Sequence, residues 1–232
     1  MKNLKNWDKK NWLSSNAYIS SLSHFLKKQI NFNKKTKILD IGCGRGKIIS
    51  NLSKKYHMSN LPLGIDIVKH KDMTKRIRFT KTNALKYLEK TKEKFDVILF
   101  KQSIHFFNYL EIKKILTFSK NNLAPKGKIL ILALHPKKNN WPVFKIFKLK
   151  LINSLKKDKL ILNLIKSSFK KYKINYFNFQ VKITKDLYLQ MIKNRFNSCL
   201  LSLSLKEIKT GIEEIKKKYK KELIFFEKLI CI

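Results

Sequence analysis

The sequence has few residues that interrupt or cross-link a chain: 6 glycines, 4 prolines and 3 cysteines among 232 residues. Cys43, Cys199 and Cys231 are odd in number and scattered, without the spacing of metal ligands. They therefore indicate reduced thiols in a cytoplasmic protein, and we expect no metal site.

Long hydrophobic runs are also missing. No apolar stretch reaches the roughly 18 residues that a membrane span needs. The longest clean run, residues 129–134, is typical of a buried strand. The basic N-terminus lacks an apolar segment and predicts no secretory signal. We expect a protein without a membrane span, long enough for one domain with a full α/β core.

Arginine is scarce in an otherwise very basic chain. The net charge is +38, yet only 4 of the 53 basic residues are arginine. A charge of this size ordinarily indicates a nucleic-acid or anionic-membrane partner. Nucleic-acid readers, however, rely on arginine for bidentate and stacking contacts, and the lysines here are spread over the whole chain. We interpret the charge as a solvated surface, with weak, salt-sensitive binding to polyanions as a consequence.

Three of the six glycines lie on alternate positions of one short stretch. Residues 38–46 read ILDIGCGRG, so Gly42, Gly44 and Gly46 follow Asp40 at the end of an apolar run. Glycines at such a place let the backbone turn sharply and let a ligand approach main-chain atoms. The dinucleotide fingerprint G-x-G-x-x-G would need another glycine at position 47, which is Lys47.

A second acid, Asp66, ends the apolar run 63–66, at the place where a doubly wound fold presents a carboxylate to ribose hydroxyls. Further strand-like runs at 77–79, 95–100 and 128–133 alternate with helical patterns, and 125–127 predicts a turn before the last of them. This alternation predicts a mainly parallel sheet with helices on both faces.

The turn at 38–46 resembles motif I of the class I S-adenosylmethionine (SAM) dependent methyltransferases. Asn83-Ala84 stands where that family often has Asp-Ala, 95–100 is similar to its fourth strand, and 123–127 is similar to its L-x-P-G-G turn. The resemblance covers about residues 34–134. It implies a Rossmann-like, doubly wound, mainly parallel seven-stranded α/β sheet with an antiparallel last strand and helical lid elements.

On this resemblance the chain is a single methyltransferase domain. Residues 1–33 would form an N-terminal helical cap, 34–134 the SAM-binding core, and 135–232 the C-terminal part. The family normally joins its last two strands by a short connection, whereas 184–222 intervene here. That insertion has a helical pattern, with Thr184 as an N-cap candidate and Ser204 to Glu207 as a capping box. We expect it to act as a lid on the acceptor pocket.

The resemblance also implies SAM as cofactor, S-adenosylhomocysteine (SAH) as product, and no metal. The glycine turn would approach the methionyl part, Asp40 would orient the turn or meet the amino group, and Asp66 would accept both ribose hydroxyls. Asn83 and Ala84 would hold adenine. The expected cofactor-binding residues are Asp40, Gly42, Cys43, Gly44, Gly46, Asp66, Ile67, Asn83, Ala84 and Lys101.

Methyl transfer needs alignment of the acceptor and, for some acceptors, a base. His105, just past the fourth predicted strand, is the candidate catalytic base; its alternative role is to line the pocket. Gln102, His105, Trp141 and Arg195 are the candidate substrate-binding residues. In a chain so poor in arginine, Arg195 in the lid suggests bidentate capture of a carboxylate or phosphate, with a surface salt bridge as the alternative.

The sequence leaves three functions open: methyl transfer to a small metabolite, with anionic metabolites as candidates, methylation of tRNA or rRNA, and SAM binding by a non-catalytic regulator. Residues 101–104 read KQSI, not the Asn/Asp-Pro-Pro-aromatic tetrad of enzymes that methylate exocyclic base amines. None of the cysteines lies in that region, where pyrimidine C5 chemistry would place its nucleophile. We therefore favour the small-molecule enzyme, as a monomer or homodimer.

Overall fold

The computed structural model describes residues 11–232; the first ten residues of the expected N-terminal cap lie outside the described part. Helices and strands alternate along the chain. The helices are α1 (Asn16–Gln29), α2 (Lys47–Lys55), α3 (Ala84–Lys90), α4 (Tyr109–Asn121), α5 (Lys145–Ser167), α6 (Lys185–Lys193) and α7 (Leu205–Lys218). The strands are β1 (Ile38–Ile41), β2 (Leu63–Asp66), β3 (Arg78–Lys81), β4 (Phe95–Lys101), β5 (Leu123–Leu134), β6 (Asn175–Thr184) and β7 (Glu222–Cys231).

The strands form one seven-stranded sheet in the order β3-β2-β1-β4-β5-β7-β6. β1 pairs in parallel with β2 and with β4, and β4 pairs in parallel with β5. β7 runs antiparallel to β5: Ile131 and Ile232 exchange two backbone hydrogen bonds, and the N–H of His135 donates to the carbonyl of Lys228. The predicted fold class is therefore confirmed, including the antiparallel last strand.

The chain divides into two compact units. The larger unit comprises residues 19–133, 161–177 and 229–232, and the smaller unit comprises, within the described chain, residues 11–18, 134–160 and 178–228. In the larger unit all four residues of β1 are buried, as expected for a central parallel strand covered on both faces. Its core is aliphatic, with Leu39, Ile98, Ile131 and Ile165 among the fully buried members.

The smaller unit has an aromatic core. The ring of Trp12 meets those of Phe196 and Phe225 edge to face, each with centroids 5.2 Å apart, and Trp141 and Tyr188 join the same cluster. Such arrangements add directional stabilisation to the burial of apolar area.

Local signals set several boundaries as predicted. Thr184 accepts a hydrogen bond from the N–H of Leu187 at the start of α6, and Ser204 and Glu207 form a capping box at the start of α7. These hydroxyl and carboxylate groups satisfy N–H groups that have no partner within the helix. The two helices account for most of the insertion between β6 and β7.

One boundary was wrong. A turn is predicted at 125–127 with a strand from residue 128, whereas β5 begins at Leu123. Phe95 pairs with Leu123, the register shifts before Val97, and Lys126 adopts a left-handed φ of 63°. The turn residues are thus absorbed into the strand as an irregularity, because pairing with β4 continues on both sides of them.

None of the described helices is long and apolar enough to cross a bilayer.

Candidate functional site

The glycine turn after β1, in the larger unit, has three glycines in the left-handed backbone conformation. Gly42, Gly44 and Gly46 have φ values of 74°, 54° and 69°, a region in which a side chain is strained. A Cβ on Gly42 would lie 2.5 Å from the Cβ of Ser103, whereas a Cβ on Gly44 would meet no atom within 4 Å. The turn therefore packs tightly at Gly42 and borders open space at Gly44.

Asp66, at the end of β2, holds this turn in place. Its Oδ2 accepts a hydrogen bond from the N–H of Gly44 at 2.9 Å, and its Oδ1 accepts one from the N–H of Val68 at 3.0 Å. The N–H of Gly42 donates to the carbonyl of Ile65 at 2.9 Å. The carboxyl ends of β1 and β2 are thereby joined at one edge of the sheet, and each carboxylate oxygen retains capacity for a further donor.

Asp40 lies beneath the turn and is 3% exposed. Its Oδ1 is buried without a hydrogen-bond partner among the described residues. Burial, and next the neighbouring Asp66, raise the pKa of Asp40 to about 7, while Lys101 acts in the opposite direction. A buried acid with an unsatisfied oxygen is costly, so this atom marks where a donor from a ligand would be accommodated.

Cys43, a predicted cofactor neighbour, contributes to packing. A Cβ on Gly64 would lie 2.6 Å from its Sγ, so the thiol occupies the space above that glycine. Burial, followed by the charges of Asp40 and Asp66, raises the pKa of the thiol well above its usual range. The side chain therefore stays protonated. The backbone of Cys43 supports the turn itself: its N–H donates to the carbonyl of Ile65, and its carbonyl accepts from the N–H of Gly46.

The adenine-side candidates follow β2 and β3. Ile67, directly after Asp66, is 44% exposed, which is unusual for an isoleucine beside a buried strand. Asn83 is the N-cap of α3, and its Oδ1 accepts from the N–H groups of Leu85 and Lys86. That oxygen therefore already serves the helix, and its contact with adenine stays a prediction. Ala84 is buried in the first turn of α3.

The segment after β4 carries Lys101, Gln102 and His105. Gln102 has a φ of 53°, and its N–H donates to the carbonyl of Leu132 at 2.8 Å. Such a conformation is uncommon for a non-glycine residue and is maintained by its surroundings. His105 lies in a short 3₁₀ helix, Ile104–Phe106, and its half-buried ring packs against Phe106 with centroids 4.2 Å apart.

Two further residues, Ser103 and Arg45, contribute to this edge. Ser103 is buried, and its Oγ donates to the carbonyl of Ile41 at 2.6 Å, which ties the segment after β4 to the end of β1. The Nε of Arg45 lies 2.8 Å from both carboxylate oxygens of Asp72. Burial would raise the pKa of Asp72, but the hydrogen bond and charge of Arg45 hold it below its usual range. Both residues fix the glycine turn to neighbouring loops.

The other two substrate candidates belong to the smaller unit. Trp141 is buried in the aromatic core, 6.0 Å from the ring of Phe196, and its Nε1 has no hydrogen-bond partner among the described residues. Arg195 has a φ of 55°, and its Nη1 donates to the carbonyl of Leu200. The arginine thus supports the turn after α6, and its contact with an acceptor stays a prediction.

The smaller unit also contains a buried acid that sequence reasoning missed. Glu227 is fully buried in β7 and accepts hydrogen bonds from Trp12 Nε1 at 2.5 Å and from the Tyr18 hydroxyl at 3.4 Å. Burial, and next the charge of Glu227, raise the pKa of Tyr18. In the sequence, Glu227 could be noticed only as an acid within the apolar run at 223–232.

The structure therefore brings most predicted site residues to one edge of the larger unit. These are Asp40, Gly42, Cys43, Gly44, Gly46, Asp66, Ile67, Asn83, Ala84, Lys101, Gln102 and His105, all at or after the carboxyl ends of β1 to β4. This edge is where open parallel sheets bind ligands. Among the described residues no group of three or more His, Cys, Asp or Glu side chains is placed to hold a metal ion.

Comparison with known proteins identifies the family to which the chain belongs. A model of the methyltransferase-domain family matches residues 32–195, which include the glycine turn, Asp66 and the segment after β4. The chain belongs to this family and is a class I SAM-dependent methyltransferase. No curated protein matches the sequence.

Solved structures share the fold at low sequence identity. A candidate methyltransferase from an antibiotic biosynthesis pathway of Anabaena variabilis is 14% identical, with a TM-score of 0.64 over 90% of this chain and 95% of that chain. A SAM-dependent methyltransferase from Geobacter sulfurreducens, in complex with SAH, is 13% identical, with a TM-score of 0.55 over 99% and 97%. The plantazolicin methyltransferase BpumL, in complex with SAH and a pentazolic desmethyl analogue, is 16% identical, with a TM-score of 0.51 over 99% and 89%.

Proposed function

We propose that this enzyme transfers a methyl group from SAM to a small metabolite that carries an anionic group, by in-line displacement. SAM as the cofactor is supported by the hydrogen bond from the N–H of Gly44 to the carboxylate of Asp66. This bond joins the ends of β1 and β2 next to the buried Asp40.

The residues at this edge fit SAM. The open space at Gly44 suits a ligand that approaches the main chain, and the unsatisfied Oδ1 of Asp40 suits a cationic amino group. Asp66 would accept the ribose hydroxyls with the lone pairs that Gly44 and Val68 leave available. Exposed Ile67 would cover one face of adenine. Because the Oδ1 of Asn83 caps α3, we propose that its side-chain N–H₂ group meets the adenine ring.

When bound, SAM supplies a methyl group on a positively charged sulfur, and the acceptor's lone pair takes that methyl as the carbon–sulfur bond breaks to give SAH. The protein's task is then alignment and exclusion of water. Lys101 would border the methionyl part through its backbone. Gln102 and His105 would contact the acceptor, and His105 would receive the acceptor's proton where the acceptor carries one.

Two observations support a small acceptor. The segment after β4 lacks the tetrad that base-amine methylation uses, and BpumL, a similar structure, is a methyltransferase of plantazolicin. The anionic group is proposed from Arg195, whose guanidinium has donors beyond the one that Leu200 receives. Trp141 is the aromatic candidate for the same acceptor.

Labelled SAM distinguishes the acceptor classes directly. We expect the protein to transfer label to a deproteinised metabolite extract, and to retain that activity when salt is raised. Total RNA, offered in a parallel reaction, should gain no label beyond the level given by Asp66→Ala protein. Label confined to the RNA fraction would assign the enzyme to RNA. Tight SAM binding with no transfer to either fraction would favour the non-catalytic regulator.

Asp40 should make SAM binding pH-dependent. Its pKa of about 7 leaves the carboxyl partly protonated at neutral pH in the free protein. A cationic ligand favours the carboxylate, so binding releases a proton and affinity rises as the pH increases through this range. Calorimetry should find that SAM binds about eightfold more tightly at about pH 7.5 than at about pH 6. The comparison stays below about pH 8, where the α-amino group of SAM itself begins to lose its charge.

The matched control for this effect is Asp40→Asn, which has nearly the same shape and does not titrate. It should bind SAM more weakly and with a flat profile across the same range. A wild-type slope that persists unchanged in Asp40→Asn would show that another group titrates.

A further inference from the structure

The outer face of α5 exposes large aliphatic side chains. Leu149, Ile152 and Leu160 are 56%, 41% and 65% exposed. At 100° per residue these positions fall within one arc of about 80° on the helix surface. An amphipathic helix of a soluble protein normally carries polar residues on its solvent side, so this face is not explained by packing within the chain.

Lysines share the same face. Lys148, Lys156 and Lys159 are exposed and, together with the three aliphatic residues, span an arc of about 120°. The only acid of α5, Asp158, lies on the opposite, buried side, at 8% exposure. At the first residue of the helix, away from these lysines, the carboxylate of Glu214 accepts a hydrogen bond from the backbone N–H of Lys145. The exposed face is therefore both apolar and uniformly positive.

This combination narrows the kind of partner. A nucleic acid would satisfy the lysines but would leave the aliphatic side chains in water. A second copy docked through the same face would bring lysines opposite lysines, because a two-fold interface is self-complementary. An anionic bilayer offers phosphate groups to the lysines and an apolar layer just below them.

We propose that the outer face of α5 docks this enzyme on the surface of membranes that contain anionic lipids. Leu149, Ile152 and Leu160 enter the boundary between headgroups and acyl chains, and the lysines extend along their alkyl stems to the phosphates. In this arrangement the helix lies in the plane of the membrane surface. This inference is independent of the acceptor.

Vesicle flotation with the full chain tests the proposal. Vesicles of phosphatidylcholine alone should leave the protein behind, and vesicles with about one third phosphatidylglycerol should carry it upward, less so as salt is raised. Lys148→Gln/Lys156→Gln/Lys159→Gln should weaken this partitioning at least about tenfold. Leu149→Gln/Leu160→Gln should weaken it by about tenfold as well, with the net charge unchanged.

The control for general charge is Lys54→Gln/Lys86→Gln/Lys90→Gln, which removes three exposed lysines from α2 and α3. It should change partitioning less than about threefold. An equal loss in this control would attribute binding to net charge. Unchanged binding by the leucine variant, or absence of wild-type protein from the anionic vesicles, would also overturn the proposal. Retention by RNA alone, reduced by the α5 variants, would assign the face to nucleic acid.

Discussion

Replacement of Asp66 by alanine is expected to raise the dissociation constant of SAM at least about a hundredfold. On the proposed function the carboxylate accepts both ribose hydroxyls, and hydrogen bonds to a charged acceptor contribute about 1.5–3 kcal/mol each. The variant also loses the bond from the Gly44 N–H that holds the glycine turn. Isothermal titration calorimetry of SAM and SAH measures the change.

Two further substitutions separate ligand contact from support of the turn. Asp66→Asn keeps an oxygen for Gly44 but loses the charge, so we expect a loss of about tenfold. Asp96→Asn is the matched control, because Asp96 also accepts from a backbone N–H, that of Lys37, but at the opposite end of the strands. Equal affinities for wild type and Asp66→Ala would remove Asp66 from the cofactor site.

The fold could be predicted because its signals are local and repeated. Each parallel strand is an apolar run with its own turn and helix, so the alternation alone predicts the sheet class. The caps of α6 and α7 were equally accessible, since Thr184 and Ser204 satisfy N–H groups only a few residues away. Structural features that depend on one short segment, such as a strand, a turn or a helix cap, can therefore be predicted from the sequence.

The start of β5 illustrates the opposite case. A Pro-Lys-Gly segment is a good turn in isolation, and the sequence contains nothing that contradicts this interpretation. The strand begins earlier because Leu123 pairs with Phe95, and the bulge near Lys126 absorbs the turn residues. Pairing between residues 28 positions apart therefore decided a boundary that local propensity assigned differently.

In the candidate site too, local spacing identified residues, whereas their contacts depend on the folded chain. The glycine turn and Asp66 could be identified from their spacing. The hydrogen bond that the Asp66 carboxylate accepts from the N–H of Gly44 could not. Asn83 could be singled out from its place after the third predicted strand, whereas the hydrogen bonds of its oxygen to α3 depend on helix geometry. The position of Arg195 was notable for composition alone, and its contact with Leu200 became visible only in the folded turn.

Partners distant in sequence were beyond prediction. Trp12 and Glu227 are 215 positions apart, and Arg45 and Asp72 are 27 apart, without any repeated spacing that would relate them. A single sequence contains no record of such pairs, because each residue alone is compatible with many environments. The acid in β7 could at most be noted as unusual within an apolar strand.

Alanine at Gly44 should chiefly weaken SAM binding, whereas alanine at Gly42 should chiefly lower stability. A Cβ on Gly44 meets no protein atom within 4 Å, so its cost is the left-handed backbone, about 1–2 kcal/mol, or a fall in Tm of about 2–8 °C. That methyl group enters the space proposed for SAM, and affinity should fall at least about tenfold. Thermal unfolding and calorimetry on one preparation measure both quantities.

Gly42→Ala should chiefly destabilise the fold. Its Cβ would lie 2.5 Å from the Cβ of Ser103, which is rigid and whose Oγ is bonded to Ile41, so the segment after β4 must move. We expect a loss of about 3 kcal/mol or more. Adding Ser103→Gly removes the clashing atom and should recover part of the Tm. Failure of this second change to restore any stability would place the strain elsewhere. An intact SAM affinity in Gly44→Ala would mean that the cofactor does not approach this glycine.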